Sequence, residues 1–167
     1  MKMNELLAAD RVFIGLQANG KKQALRLVAD LAARALSLDA QTVLDGLLER
    51  EELGSTGIGG GFAIPHARLA DIPQVTGLFM RFEQPFTFDA IDDVPVDMFF
   101  LLLAPIDAGA DHLKALARVS RQFREEQTRA RLRLAPDAAA CHVILCNGDG
   151  TIAQPKPAAK TQKAGYS

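Results

Sequence analysis

The residues of this chain best suited to chemistry are its three histidines, and His66 is the most informative of them. It ends a glycine-rich run over residues 54–66, GSTGIGGGFAIPH, in which five of the thirteen residues are glycine. Glycine leaves backbone N–H groups uncovered, and Pro65 fixes its own φ and favours an extended Ile64. An imidazole titrates near neutral pH and can act as a nucleophile, a general base or a metal ligand. The pattern predicts that His66 is presented in a defined direction to handle an anion such as phosphate.

Arg50 and His112 are the other candidates, and each has two interpretations. Arg50 lies four residues before Gly54, near the end of a predicted helix. It is either a solvated cation that interacts with the helix dipole or a guanidinium that binds an anion at His66. His112 begins another predicted helix and is either a capping or surface residue or part of the site. His142 lies in an apolar segment and is interpreted as structural.

Other chemistries lack their signatures. A nucleotide-binding P-loop needs a lysine and a Ser or Thr directly after its last glycine, and here Phe62 and Ala63 follow. Cys141, His142 and Cys146 are close in sequence but lack a zinc-site spacing, so we interpret both thiols as core residues and predict neither a metal nor a cofactor. No serine or cysteine pairs recognisably with a histidine as in a hydrolase.

The bulk composition limits the classes of partner. The net charge is −1 over 167 residues, which argues against a nucleic-acid-binding protein. The longest apolar run, residues 98–104, is too short to cross a bilayer, and the first residues lack the apolar run of a signal peptide. The two cysteines do not form the pattern of a disulfide-stabilised protein. We therefore expect a cytoplasmic protein that does not insert into a membrane.

Hydrophobic periodicity predicts the elements that must position these side chains. A helix over 21–38 precedes one capped by Asp39, which ends near Glu51 or Glu52. The later segments comprise a short strand at 62–64, an inner strand at 75–82, a short edge strand at 86–88, a strand at 96–104, helices at 107–124 and 128–134, and a segment at 136–146 whose pattern fits either a helix or a strand.

The order of these elements predicts an α/β (α+β) fold of one domain over residues 1–147. Helices, then strands, then helices indicate a central mixed β-sheet with helices around it. Two strands without an intervening helix, 75–82 and 96–104, argue against an all-parallel sheet. Residues 148–167 have the composition of a disordered tail.

Several motifs of this sequence resemble those of a known family. The motifs that carry the resemblance are LEREELGSTGIG at 48–59 and AIPH at 63–66, and further similarity lies in FTFDAID at 86–92, PVD at 95–97 and the segment around His112. These motifs resemble enzyme IIA of the phosphoenolpyruvate-dependent phosphotransferase system, fructose/mannitol type. The resemblance runs from about Met3 to Leu134 and is strongest to the nitrogen-regulatory IIA proteins.

The resemblance implies a mechanism and a fold. A histidine-containing phosphocarrier protein would deliver a phosphoryl group to Nε2 of His66, while Arg50 neutralises the phosphate and His112 donates a hydrogen bond to it. The other ring nitrogen of His66 would donate its proton to a backbone carbonyl. The family fold has a mixed sheet flanked by helices on both faces and implies a helix at 138–146, although this segment is unusually apolar here.

The same resemblance leaves the destination of the phosphoryl group open. We expect a regulator whose phosphorylation changes its binding to target proteins, because the chain shows no fused IIB or membrane segment. The alternative is a sugar-specific IIA subunit that passes the group to a IIB domain, and a further alternative is a binding module that is never phosphorylated. Ile58, Phe62 and Leu69 are candidates for the carrier-docking patch, although Ile58 and Phe62 are better explained as core residues.

Overall fold

A six-stranded mixed sheet lies between two groups of helices in the structure, a computed structural model that describes residues 1–147. One turn of 3-10 helix, Ala9–Arg11, precedes the first strand. The strands are β1 (Val12–Leu16), β2 (Gly57–Gly59), β3 (Phe62–Ala63), β4 (His66–Leu69), β5 (Thr76–Phe86) and β6 (Val96–Pro105). The helices are α1 (Met3–Leu6), α2 (Lys21–Leu36), α3 (Ala40–Glu52), α4 (Ala110–Phe123), α5 (Glu126–Leu134) and α6 (Ala138–Cys146).

The sheet has the strand order β1-β5-β6-β3-β2, and β4 also pairs with β6. β5 and β6 are antiparallel, whereas β1 is parallel to β5, and β3 and β4 are both parallel to β6. β3 and β4 therefore follow one another along the same edge of β6, with Phe62 opposite Met98 and His66 opposite Leu102. The two residues between them, Ile64 and Pro65, form the step that leads into His66.

The core has two parts, one on each face of the sheet. Successive side chains of a strand point to opposite faces, and β6 is buried on both. Phe99, Leu101 and Leu103 belong to the cluster that includes α2 and α3. Met98, Phe100 and Leu102 belong to the cluster that includes α1, α4, α5 and α6. The predicted mixed sheet with helices on both faces is confirmed.

The predicted helices and inner strands are confirmed with small shifts of their ends. Asp39 caps α3 by accepting a hydrogen bond from the Thr42 backbone N–H at 2.9 Å. The first long helix ends at Leu36 and not at Leu38, because Ser37 adopts a left-handed conformation with φ 58°. The undecided segment at 136–146 forms helix α6, as the resemblance implied.

The prediction of a separate edge strand at 86–88 is wrong, because β5 continues through Pro85 to Phe86. Pairing with β1 ends at Phe82, so Pro85 removes no hydrogen bond on that side. On the other side the register with β6 shifts between Arg81 and Phe86, which accommodates the proline.

Several short elements were absent from the sequence prediction. They are α1, β1, β2 and β4, and each is too short or too rich in glycine to show a periodic pattern. The glycine run thus contains a three-residue strand, β2, which pairs antiparallel with β3. Gly59, Gly60 and Gly61 turn between them with φ of 102°, 67° and 80°, values that favour glycine.

Two further predictions concern the C-terminal tail and membrane insertion. The tail predicted at 148–167 lies outside the described residues. Among residues 1–147, no helix is both long and apolar enough to cross a membrane.

Candidate functional site

The structure brings the three predicted site residues together at the edge of β6. His66 begins β4, Arg50 lies in the last turn of α3, and His112 lies in the first turn of α4. All three line one cavity of about 480 Å³. The ring centroids of the two histidines are 5.3 Å apart, with an angle of 63° between the ring planes.

The two ring nitrogens of His66 have different partners. Nδ1 lies 2.9 Å from the carbonyl oxygen of Ile64. Because a carbonyl oxygen only accepts, Nδ1 carries the proton and the lone pair lies on Nε2. Nε of Arg50 donates to that Nε2 atom at 3.1 Å. The neutral tautomer is thus held with its basic nitrogen toward the guanidinium.

The environment lowers the pKa of His66 below the ordinary value of 6.5. Burial is the largest cause, and the positive charges of Arg50 and Arg68 act in the same direction. The hydrogen bond to Ile64 and the negative charge of Glu51 partly offset them. His66 is therefore largely neutral at pH 7, with the Nε2 lone pair available as a nucleophile.

His112 is buried beside His66 and is only 4% exposed. Its Nδ1 atom has no hydrogen-bond partner among residues 1–147. Burial lowers the pKa of His112 to about 4, and the charges of His66 in its protonated form and of Arg68 act in the same direction, so the ring is neutral at pH 7. A neutral imidazole retains one N–H donor, which suits contact with an anion.

A buried carboxylate fixes the end of α3 next to Arg50. The Glu51 side chain is 5% exposed, and it accepts hydrogen bonds from the backbone N–H and the hydroxyl of Thr56. Nζ of Lys21 lies 2.9 Å from the same carboxylate and 4.5 Å from the centre of the Phe88 ring. Arg50 itself donates through Nη1 to the carbonyl of Gly54 at 2.8 Å. These contacts hold the helix end and the glycine run in one arrangement.

Two backbone N–H groups of the glycine run already have partners within the protein. The N–H of Gly57 donates to the hydroxyl of Ser55 at 3.1 Å, and the N–H of Gly60 donates to the carboxylate of Asp92 at 3.0 Å. The Ser55 hydroxyl in turn donates to the carbonyl of Phe88 at 3.2 Å. These two N–H groups are therefore engaged in holding the turn, and Arg50 and Arg68 are cationic side chains that line the His66 cavity.

The three residues expected to form the docking patch differ in exposure. Phe62 is a core residue, as expected, and Leu69 is buried too. Ile58 is 39% exposed, so its assignment to the core is wrong, but it lines a separate cavity with Arg124 and Arg129. The exposed apolar side chains at the His66 cavity are Leu53 and Leu113, at 82% and 64% exposure.

Arg68 is a cation of this cavity that the sequence analysis missed. It lies two residues after His66 on β4, and alternate residues of a strand share a face. The alternation over residues 66–69 was the available signal, but a strand of four residues is too short to assign from sequence.

Among residues 1–147, no group of three His, Cys, Asp or Glu side chains is placed to hold a metal ion. Within the described residues, neither Cys141 nor Cys146 forms a disulfide. His142 lies on α6, where its Nε2 atom is 3.0 Å from the carbonyl oxygen of Leu7. This contact agrees with the structural role predicted for His142.

Comparison with known proteins identifies the class to which this fold and cavity belong. Residues 5–147 match the family described as "Phosphoenolpyruvate-dependent sugar phosphotransferase system, EIIA 2". The chain belongs to this family, and the resemblance seen in its motifs is confirmed.

Within the family, the chain is similar to nitrogen-regulatory members. It is 42% identical over 153 residues to a "Nitrogen regulatory protein" of Bradyrhizobium diazoefficiens, covering 92% of this chain and 100% of that relative. The solved "Nitrogen Regulatory Protein IIA-Ntr" of Neisseria meningitidis superposes with a TM-score of 0.80 at 36% identity, covering 86% of this chain and 98% of that structure. A "PTS system fructose-specific EIIA component" of Haloferax volcanii is 39% identical over 113 residues, which are 67% of this chain and 73% of that relative.

Proposed function

We propose that this protein accepts a phosphoryl group on Nε2 of His66 from a histidine-containing phosphocarrier protein. The observation that carries the proposal is the state of the His66 ring, whose Nδ1 proton is held by the Ile64 carbonyl while Nε2 presents a lone pair in the cavity. A nucleophile must have a free lone pair aimed at the phosphorus atom, and phosphoryl transfer otherwise requires positioning and charge stabilisation.

In the proposed step, the Nε2 lone pair attacks the phosphorus atom in line with the bond to the carrier histidine. That carrier N–P bond breaks, and its electron pair returns to the carrier nitrogen. Arg50 moves from Nε2 to the phosphoryl oxygens, where its planar fork of N–H donors neutralises their charge. His112 donates a hydrogen bond to the same group from the opposite wall of the cavity.

The apolar rim of the cavity fits docking of the carrier protein. Leu53 and Leu113 are large, exposed and adjacent to the reacting histidine. Exposed apolar side chains next to a polar site are typical of protein–protein contacts. In this proposal a second protein covers both leucines and excludes water from the phosphoryl group during transfer.

The phosphorylated form serves as a regulator in this proposal, and its binding to target proteins depends on phosphorylation. Support comes from the similarity to proteins named nitrogen regulatory protein. Phosphorylation adds about two negative charges to a cavity lined by two exposed leucines, a change large enough to reverse a docking preference. A cytoplasmic location is part of the proposal and agrees with two cysteines that form no disulfide within the described residues.

A second candidate is transfer of the phosphoryl group onward to a IIB domain for sugar uptake. The similarity to a relative named as a fructose-specific component favours it. The chemistry at His66 would be the same in both cases, so only the acceptor of the phosphoryl group separates them.

The test is intact-mass analysis after incubation with phosphoenolpyruvate, the first phosphotransferase enzyme and a phosphocarrier. We expect one acid-labile phosphoryl group on the wild type and on His142→Gln, and none on His66→Ala. His142 is the matched control, because it is a partly buried histidine remote from the cavity. A wild type that no carrier phosphorylates would contradict the proposal and favour a binding module.

The destination of the phosphoryl group is tested by mixing the isolated phosphorylated protein with a fructose-type or mannitol-type IIB domain. A sugar-specific IIA protein should transfer its phosphoryl group to the IIB domain. A regulator should retain its phosphoryl group over the same time. Rapid transfer to IIB would replace the regulatory proposal with the second candidate.

A further inference from the structure

Arg68 lies where a second cation could reach a phosphoryl group on His66. The two residues occupy the same face of β4, one position apart along that face. Register with β6 places His66 opposite Leu102 and Arg68 opposite Ala104. Arg68 lines the His66 cavity together with Arg50, so guanidinium groups from a helix and from a strand border the same space.

The bonding of Arg68 leaves its guanidinium available. Nη1 donates to the carbonyl of Ile106 at 3.5 Å, which is at the outer limit of a hydrogen bond. No carboxylate among residues 1–147 forms an ion pair with Arg68, although Glu49 lines the same cavity. Among residues 1–147, this long hydrogen bond is the only polar contact that the Arg68 side chain must give up in order to turn.

The charge of Arg68 already acts on both histidines. It contributes to the lowered pKa of His66 and to that of His112, after the larger effect of burial. Arg68 therefore lies within electrostatic range of both rings. Arg50 differs, because it is bound to Nε2 of His66 and to the carbonyl of Gly54 before any phosphate arrives.

We propose that Arg68 is a second phosphate-binding residue, which turns from the Ile106 carbonyl to the phosphoryl oxygens once these are bonded to Nε2 of His66. The inference rests on the proposed function of His66 as the acceptor. Arg68 exchanges no proton and forms no covalent bond in this step. It stabilises the dianion of the phosphorylated protein through charge-assisted hydrogen bonds, in addition to those from Arg50.

This role predicts an effect on the equilibrium of phosphoryl exchange as well as on its rate. Losing a hydrogen bond to a charged group corresponds to a change of roughly 10- to 100-fold in an equilibrium constant. If Arg68 only helped the carrier dock, its loss would slow the forward and reverse transfers equally. The equilibrium constant between carrier and protein therefore distinguishes phosphate binding from docking.

The experiment measures that equilibrium constant for the wild type, Arg68→Gln, Arg68→Lys and Arg131→Gln. Arg131 is the matched control, an exposed arginine on α5 that does not line the cavity. We expect Arg68→Gln to shift the equilibrium toward the phosphorylated carrier by about 10-fold or more, Arg68→Lys by less, and Arg131→Gln not at all.

The outcomes separate this inference from the proposed function. Phosphorylation of the wild type with equal equilibrium constants for Arg68→Gln and Arg131→Gln would overturn the role of Arg68 and leave His66 as the acceptor. A wild type that is not phosphorylated would overturn both. Hydrolysis of the isolated phosphorylated protein gives a second readout without the carrier, and we expect it to be faster for Arg68→Gln than for Arg131→Gln.

Discussion

Nε of Arg50 lies 3.1 Å from Nε2 of His66 and donates to the lone pair that the proposed reaction requires. The same guanidinium binds the Gly54 carbonyl through Nη1 at 2.8 Å. The unphosphorylated site is therefore preorganised but masked, because the group that stabilises the product first covers the nucleophile. An incoming phosphoryl group must displace Arg50 from Nε2 and then meets its N–H donors directly.

Arg50→Ala is expected to lower the rate of phosphoryl acceptance by about 10²- to 10³-fold, as for removal of one charge-stabilising donor from an active site. It should also raise the pKa of His66, because the positive charge of Arg50 helps to lower it. Rapid-quench kinetics with a fixed carrier concentration and NMR titration of the ring nitrogens measure the two effects. An unchanged rate in Arg50→Ala would show that the contact is only structural.

The sequence predicts the central elements of the fold because their patterns are long. α2 and α4 show helical periodicity, and β6 is a continuous apolar run that only a strand buried on both faces explains. β1 and β4 are short, and their partners β5 and β6 are far away in the sequence. Long-range pairing determines such strands, so local pattern could not reveal them.

The residues of the candidate site were also predicted only in part. The motif around His66 singled out His66 and Arg50, and the resemblance added His112; the structure brings all three together. Arg68 was missed because its position depends on β4. Leu113 is 64% exposed and lines the cavity, a placement that depends on how α4 packs and that the helical pattern alone did not reveal.

Acidification should destabilise the protein through His112. Its pKa is about 4 in the folded protein against 6.5 in the unfolded chain, so the unfolded state binds the proton first as the pH falls. The stabilisation is present above pH 6.5 and is lost between pH 6.5 and 4, with an upper limit of about 3 kcal/mol. The lowered pKa of His66 acts in the same direction.

Urea unfolding of the wild type and His112→Gln between pH 7.5 and 4 measures this effect. Carboxylates titrate in both proteins, so the difference between the two curves isolates the histidine. We expect the wild type to lose its advantage over His112→Gln as the pH falls. Parallel curves over the whole range would contradict the assignment.

Gly46 sets the distance between α3 and β4 and thereby the placement of Arg50, which lies one turn further along the same helix face. A Cβ atom at Gly46 would lie 3.0 Å from Cβ of Ala67 and 3.3 Å from Cδ2 of Leu69. Gly46→Val should therefore move the helix away from the strand, at a cost of about 1–3 kcal/mol in stability. It should also slow phosphoryl acceptance, because Arg50 moves with the helix.

Gly46→Ala should slow acceptance less and change stability little, since the better helix propensity of alanine offsets part of the crowding. Ala130→Val, at an exposed position of α5, controls for a valine in a helix. Thermal unfolding and the acceptance rate are the measurements. If Gly46→Val matched Ala130→Val in both, the close approach at Gly46 would have no functional consequence.

The exposed leucines beside the cavity should affect docking of the phosphocarrier and not the rate of phosphoryl transfer within the complex. Leu53→Ser and Leu113→Ser remove apolar surface that the carrier would bury, so each should raise the KM for the phosphorylated carrier by about 10-fold. The rate at saturating carrier should stay near that of the wild type, because a leucine side chain has no polar group that could bind Nε2 or the phosphoryl oxygens. Leu134→Ser is the matched control, since Leu134 is 84% exposed and does not line the cavity. Equal KM values for all three variants would place the carrier elsewhere, whereas a fall in the saturated rate alone would mean that the leucines shape the reacting site itself.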